Sequence, residues 1–399
     1  MSVRTAVVLA AGEGTRLRPL TRNRPKPMLP AANRPVLEYV FDALIDAGIE
    51  TIGVVVGYKR DRVQEHFGPT YRDVSIEYLH QDKQLGSGHA LLEARAAVAE
   101  PFLAVNGDRV IEPGMVADVM AAAERHPDAP ATLAVIERPD VRQYGAVVLD
   151  AGRIDRLVEQ PDTDEYRLIN AGVYAFSPAI FDAIEDTPRT DGELPLTDTL
   201  ARLIDGGESV RGVHTEGLWV DATYPWDLLT VMRELLARGR VDEPPEEEGV
   251  WVDDSALVHD DATLQRPVVV GPDCEVGPGA AVGPDVALGR NATVGANATV
   301  ERTVLDADTR VGPGSTLLDC VTGEDVTLGA DATVPGGPAS VRVGSRVFED
   351  QRLGAVIADR TEAGGDVTFT PGTLVGPGAH IHTGARPSGW IATGAEVLG

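Results

Sequence analysis

Lysine is nearly absent from this 399-residue chain: Lys26, Lys59 and Lys83 are the only three, and arginine makes up the rest of its 35 basic residues. Against 62 acids they leave a net charge of −27. So acidic a molecule lacks the positive face needed for general nucleic-acid or anionic-membrane binding, which excludes both classes of partner. Many carboxylates with few lysines also predict a halophilic protein, soluble where salt screens like-charge repulsion. Only two cysteines occur, Cys274 and Cys320, too few for a disulfide framework, and with no secretory leader pattern a cytoplasmic location is expected. No apolar run approaches the length of a membrane span. Aromatics are scarce at 5%, yet 43% of residues are apolar, enough for a sizeable core. The length predicts two domains.

Residues 1–240 alternate strand and helix patterns. The runs 5–10, 51–56 and 102–105 are short, apolar and β-branched, as buried parallel strands are. Between them Val36, Leu37, Val40, Phe41, Leu44 and Ile45 keep helical spacing, and Gly48 stands where a helix would end. Residues 74–79 predict a further strand, and 88–99, 115–125 and 225–238 further helices. Together these give an α/β domain with a mainly parallel sheet. An acidic, Pro-containing linker is expected over 241–254.

From residue 255 to 399 the period becomes six. Val258, Leu264, Val270, Val276, Val282, Leu288, Val294 and Val300 follow one another at unbroken six-residue intervals. The register slips by one to Leu305, Val311 and Leu317, resumes at Leu328 and Val334, and returns at Phe369, Val375 and Ile381. Such a repeat predicts a parallel β-helix with each aliphatic side chain stacked inward on the coil below. Residues 336–366 break the pattern and are expected as an insertion or an irregular coil. Asn291 and Asn297 match glycosylation acceptors but fall at the turns of the repeat.

The densest chemistry lies near the N-terminus. Residues 1–37 carry seven basic groups (Arg4, Arg16, Arg18, Arg22, Arg24, Lys26 and Arg34) against the single acid Glu13. They surround Leu9-Ala10-Ala11-Gly12-Glu13-Gly14, a Gly-containing turn directly after an apolar run. Glycines let backbone N–H groups approach a phosphate chain, and Arg and Lys neutralise it. A dinucleotide fingerprint fails here, because the third glycine position is Leu17 and the downstream segment is basic. A Walker loop fails too, for want of Gly-Lys-Ser/Thr.

Leu9-Ala10-Ala11-Gly12-Glu13-Gly14-Thr15-Arg16 with Pro25-Lys26-Pro27 resembles the opening motif of the sugar-1-phosphate nucleotidylyltransferases. These include glucose-1-phosphate thymidylyl- and uridylyltransferases and the archaeal N-acetylglucosamine-1-phosphate uridylyltransferase type. The resemblance runs in order over 1–235, and the repeat resembles the left-handed β-helix appended to many members. It implies a Rossmann-like nucleotidyltransferase domain that joins an NTP, UTP or dTTP, to a sugar-1-phosphate and releases pyrophosphate.

By that resemblance Arg16 and Lys26 contact the departing phosphates. Leu9, Ala10, Gly12, Gly14, Gln81, Gly86 and Ser87 bind the nucleotide. Asp108, in Asn106-Gly107-Asp108, and Asp221, in Trp219-Val220-Asp221, hold Mg²⁺. Gly145, Glu159 and Asn170 meet the sugar, in Tyr144-Gly145-Ala146, Val158-Glu159-Gln160-Pro161 and Asn170-Ala171-Gly172. Gly192-Glu193-Leu194 with Thr197-Asp198 resembles another segment near the sugar. One departure stands out: many members carry Lys on the sugar phosphate where this chain has Gln160, so an arginine, or metal and backbone, must take that charge. The cations have an electrostatic reason. NTP and sugar phosphate together bring about five or six negative charges, and each unit pair at 4 Å costs ~1 kcal/mol in water and ~4 at an effective dielectric of 20.

Two rival readings differ in what the sequence offers them. Members of the resembled family that acetylate an amino sugar with their β-helix use a histidine base with nearby Lys, Arg and Asn. Here no histidine occurs between Asp260 and Ala379 and no lysine at all, and His380 and His382 flank the inward Ile381 and so point outward. A non-catalytic subunit would be expected to lose the cationic loop or the aspartates, all of which are present. The β-helix is therefore expected to serve assembly or allostery in a homo-oligomer, a trimer being common for such helices by resemblance. The composition makes a prediction of its own: thermal stability rises from dilute buffer to molar KCl, and a melting temperature independent of salt contradicts the halophilic reading.

Overall fold

The computed structural model describes residues 3–163 and 165–399. They form two compact units, the first running up to Glu13 and over Val36–Val220, the second comprising Gly14–Pro35 and Asp221–Gly399. The units cut across the boundary expected at residue 240: the cation-bearing segment 14–35 and the helix Asp227–Ala237 belong with the β-helix.

The first unit is built on a ten-stranded sheet. At its centre Thr5–Leu9 lies parallel between Thr51–Val56 and Phe102–Asn106, and Val74–His80 extends it on the Thr51–Val56 side. The first three are the runs read as buried parallel strands, and most of their side chains are enclosed; Val74–His80, nearer the sheet edge, buries only Ile76. Beyond Phe102–Asn106 the sheet turns antiparallel through the long strand Leu168–Phe176, which pairs with both Phe102–Asn106 and Ala131–Glu137. The predicted helices form as Val36–Asp46, Pro113–Arg125 and Asp227–Ala237. The helix expected over 88–99 is shorter, Ser87–Leu92, because its continuation tightens into turns bonded three residues back, as in Ala94 N–H to Leu91 O.

In the second unit three parallel ladders stack into a β-helix. One inward column runs Val270, Leu288, Leu305, Thr322, Ile357, Val375 and Ile391. The column shows why the hexapeptide pattern falters. Leu288 pairs with Leu305, so this coil is one residue shorter than the coil from Val270 to Leu288. The next inward position is then polar: Thr322 is fully buried, and its Oγ1 accepts the Asp306 N–H at 3.0 Å. In the adjacent ladder Ala363 takes the place below Leu328, too small to register as an aliphatic repeat. Only part of 336–366 is therefore an insertion. It is the hairpin Ala339–Val343 with Arg346–Gln351, after which regular coil resumes at Ala355–Ile357. Asn291 and Asn297 sit in the left-handed region at φ 56 and 58, at corners shared with aspartates such as Asp273 and Asp331. Short polar side chains tolerate that region best after glycine.

The stretch read as a linker carries two strands. Pro245–Glu247 pairs antiparallel with Val250–Val252, which opens the first coil against Val268–Val270. The interior of the β-helix is aliphatic with one large ring, Phe369, fully buried. Phe369→Ala should cost about 3–5 kcal/mol in urea unfolding, whereas Leu257→Ala, at a side chain 67% exposed, should stay within about 0.5. Equal effects at the two sites would contradict this packing.

Candidate active site

Ligands of open parallel sheets collect at the carboxyl ends of the strands, and there the first unit gathers its predicted residues. Leu9 ends the central strand, and its carbonyl accepts the Gly107 N–H at 2.9 Å, which fastens the turn bearing half-buried Asp108 to that strand end. Ala10 follows and donates to Val55 O at 2.9 Å. Gly12 lies exposed with open space around it.

Gln81 is buried and donates to Gly86 O at 3.2 Å, so these two predicted nucleotide contacts do meet. The turn they share has a structural task as well. A Cβ on Gly86 would lie 2.7 Å from Leu194 O, and Gly88 N–H donates to that same carbonyl. Ser87 Oγ accepts the Leu196 N–H at 2.9 Å, where the helix Leu196–Asp205 begins. The Gly-Ser-Gly turn is thus docked on segment 194–196, which places Gly192-Glu193-Leu194 beside it.

Gly145, Glu159 and Asn170 converge. Gly145 and Glu159 are cross-strand partners, and a Cβ on Gly145 would be 3.1 Å from Glu159 Oε2 and 3.7 Å from Asn170 Cβ. A bulge in Leu168–Phe176 after Asn170 lets its side chain accept the Gly172 N–H at 3.0 Å and donate to Tyr174 OH at 2.8 Å. Arg109, which carries no motif signal, reaches the same place. Its guanidinium lies 5.7 Å from the Tyr144 ring and 5.2 Å from the Trp219 ring, and donates to Asn170 O at 3.4 Å. Trp219 is fixed in turn by its Nε1–H bond to Ala171 O, 2.8 Å. The arginine sought to compensate for Gln160 has a candidate here.

The second unit carries Gly14, Arg16, Lys26 and Asp221. Lys26 Nζ lies 2.7 Å from Asp221 Oδ1, and Asp221 Oδ2 accepts from Thr223 Oγ1 at 3.2 Å. Gly14 has φ +67, and a Cβ there would sit 2.8 Å from Lys26 Cβ; glycine is what lets the lysine stem pass. Arg16 is exposed on the short turn Thr15–Leu17.

The basic cluster is not wholly given to a ligand, and this corrects the reading of it as one anion-binding patch. Arg24 is only 3% exposed and is enclosed by Asp306, Glu324 and Asp359 at 2.6, 3.3 and 2.7 Å. Arg34 pairs with Asp242 and Arg4 with Glu50. A cation's partner 300 positions away leaves no trace in local composition. Burial opposes the Arg24 charge, and the surrounding carboxylates outweigh it, holding the guanidinium firmly charged. Burial likewise pushes the Asp306 carboxyl above its ordinary value, against the pull of Arg24.

Asp227 likewise carries no motif signal. Its carboxylate accepts the Thr223 and Tyr224 N–H groups at 2.9 and 2.7 Å, fixing the loop that carries Asp221. Burial pushes it up to about 6, partly opposed by those two hydrogen bonds.

Residues 5–238 match the family described as nucleotidyl transferase, and residues 264–376 match the one described as the GMPPB C-terminal domain. The chain belongs to the nucleotidyl transferase family. It is 34% identical over 393 residues to the bifunctional protein GlmU of Methanococcus maripaludis, spanning 94% of this chain and 92% of that one. Over 224 residues it is 37% identical to the UTP–glucose-1-phosphate uridylyltransferase AglF of Haloferax volcanii, with 56% of this chain and 92% of that one covered. Among solved structures, a UDP-glucose pyrophosphorylase from Acinetobacter baumanii aligns at a TM-score of 0.53 and 25% identity, covering 59% of this chain and 94% of that one.

The raised Asp227 value has a sign that can be measured. The folded state holds this proton more tightly than the unfolded one, so the group's contribution to stability grows as pH falls from about 6 towards the ordinary value of 3.8 and is lost as pH rises back. Asp227→Asn should flatten the stability profile across that window; an unchanged profile would contradict the assignment.

Proposed function

We propose that this protein transfers the uridylyl group of UTP to glucose-1-phosphate or N-acetylglucosamine-1-phosphate, forming the UDP-sugar and pyrophosphate. The observation that carries this reading is the meeting of Gly145, Glu159 and Asn170 beside the Arg109 guanidinium, in a chain of the nucleotidyl transferase family. UTP is favoured because a relative sharing 37% identity is named for it.

The acceptor oxygen is already anionic, so no residue has to remove a proton. One phosphate oxygen of the sugar-1-phosphate attacks the α-phosphorus in line. The bond to the bridging oxygen of the β-phosphate breaks, and pyrophosphate leaves with the electron pair. The residues therefore act by placement and charge. Glu159 and Asn170 hold ring hydroxyls, Gly145 offers its backbone, and Arg109 takes the sugar phosphate in place of the lysine absent at Gln160. Arg16 and Lys26 take the triphosphate, while Gln81 and the Gly86-Ser87 turn hold the base. Lys26 then exchanges part of its hold on Asp221 for phosphate oxygens.

Mg²⁺ fits the donor chemistry of Asp108 and Asp221, since it takes one or two carboxylates and completes its shell with phosphate oxygens and water. Asp221 is oriented for such a role by Lys26 and Thr223. When bound, the ion would supply positive charge to the phosphates. Among the described residues no group of three or more His, Cys, Asp or Glu is arranged as a metal cage, so this proposal rests on the two aspartates.

The name of the M. maripaludis relative raises acetyl transfer as a second activity. In the β-helix His380 and His382 are exposed on either side of buried Ile381, and His380 lies 3.3 Å from Glu362. We assign this domain to assembly of a homo-oligomer, or to allostery, instead.

Pyrophosphate release measured over several NTPs and sugar-1-phosphates tests the reading, with UTP expected to lead. Lys26→Met should cut kcat/KM about 10²–10³-fold and Asp108→Ala should nearly abolish turnover. Arg109→Leu should raise KM for the sugar-1-phosphate about tenfold, the worth of one charge-assisted hydrogen bond, and leave KM for UTP unchanged. Wild-type turnover by Lys26→Met or Asp108→Ala would reject the assignment.

A further inference from the structure

We propose that Arg24, clamped by Asp306, Glu324 and Asp359, is a positioning residue that sets Lys26 for the nucleotide phosphates, which makes the β-helix part of the catalytic apparatus.

The three carboxylates come from one corner of three successive coils. They follow the stacked strands Thr303–Leu305, Cys320–Thr322 and Ala355–Ile357. The corner is built to receive a guanidinium. Asp359 Oδ1 accepts from Arg24 Nη2 at 2.7 Å and from the Glu324 N–H at 3.1 Å. Glu324 Oε1 accepts from Arg24 Nη1 at 3.3 Å, while Asp306, whose Oδ1 accepts the Ala307 N–H at 2.8 Å, forms an ion pair with Nη1 at 2.6 Å. A planar fork engaged at both ends fixes orientation as well as position, which a point charge cannot do.

Between Arg24 and Lys26 stands only Pro25, with φ −74, and Pro27 follows. Each proline fixes its own φ and restricts the residue before it, Arg24 and Lys26 respectively, which narrows how far the lysine can move independently of the arginine. The turn closes on itself as well: Met28 N–H donates to Pro25 O and Leu29 N–H to Lys26 O, both at 3.0 Å. At its far end Lys26 Nζ meets Asp221 Oδ1. The lysine is therefore held at its backbone by the β-helix and at its tip by Asp221. The β-helix also reaches the Asp221 loop through the hairpin, where Phe348 packs on Tyr224 and Trp226 at 4.6 and 5.2 Å.

This inference rests on the assignment of Lys26 to the phosphates, and its test separates the two. In the full chain, R24M/D306N/D359N removes the clamp without leaving buried carboxylates unpaired. R302M/D319N removes another ion pair of the β-helix, 2.6 Å long, that does not touch segment 14–35. With UTP and glucose-1-phosphate, the clamp variant is expected to melt cooperatively, to lose tenfold or more in kcat, and to keep its KM for glucose-1-phosphate within twofold. The control pair should keep kcat within twofold. R24K, which keeps the charge but not the fork, should fall between the clamp variant and wild type. Wild-type kcat in the clamp variant, or an equal loss in the control pair, overturns the inference. Should the clamp variant not melt cooperatively, D359N alone decides, with a loss of threefold or more in kcat expected and wild-type kcat overturning it. An inactive K26M beside a fully active clamp variant sinks this inference alone; a fully active K26M sinks the assignment beneath it.

Discussion

A guanidinium removed from water must be surrounded by carboxylates, and Arg24 meets that requirement with three of them from a single corner of the β-helix. Breaking such an arrangement on one side leaves charge buried without compensation, a cost of about 3–5 kcal/mol in comparable cases. Segment 14–35 is therefore bound to the C-terminal half of the chain although it sits a few residues after the first strand of the sheet. Much of the second unit follows from this. Lys26 is delivered to Asp221, and the segment's further ties, Asn33 to Glu243 and Arg34 to Asp242, run along the stretch that leads into the first coil.

The acidity of the chain has internal uses. Aspartates supply left-handed corners such as Asp273 and Asp331, which the tight coils need and which most side chains resist. Asp319 accepts Arg302 at 2.6 Å and the Gly337 N–H at 3.2 Å where the hairpin leaves the helix. Asp227 fixes the loop of Asp221. With lysine nearly absent, arginine does the pairing, and its planar fork suits buried carboxylates better than a lysine ammonium would.

The coils could be read from sequence because each inward position repeats one physical demand, an aliphatic side chain over the coil below. The reading faltered where Thr322 and Ala363 meet that demand in another way, one with a satisfied hydroxyl and one by small size. The parallel strands were legible from their β-branched runs, while the antiparallel half of the sheet was not, since pairing direction leaves little mark on composition. Gly145, Glu159 and Asn170 were found through motifs and lie together. Arg109 and Asp227 carry no motif and depend on tertiary neighbours. The cluster of cations was seen, but its division between ligand and fold was hidden, because Asp306 and Asp359 lie far along the chain.

The proposed function stands or falls on one step, the binding of the triphosphate through Lys26. Calorimetric titration of the folded protein with UTP addresses that step apart from turnover. The account predicts saturable binding by the wild type and an affinity at least about tenfold weaker for Lys26→Met, a loss of about 1.4 kcal/mol. Equal affinities, or no binding to the wild type, would contradict it.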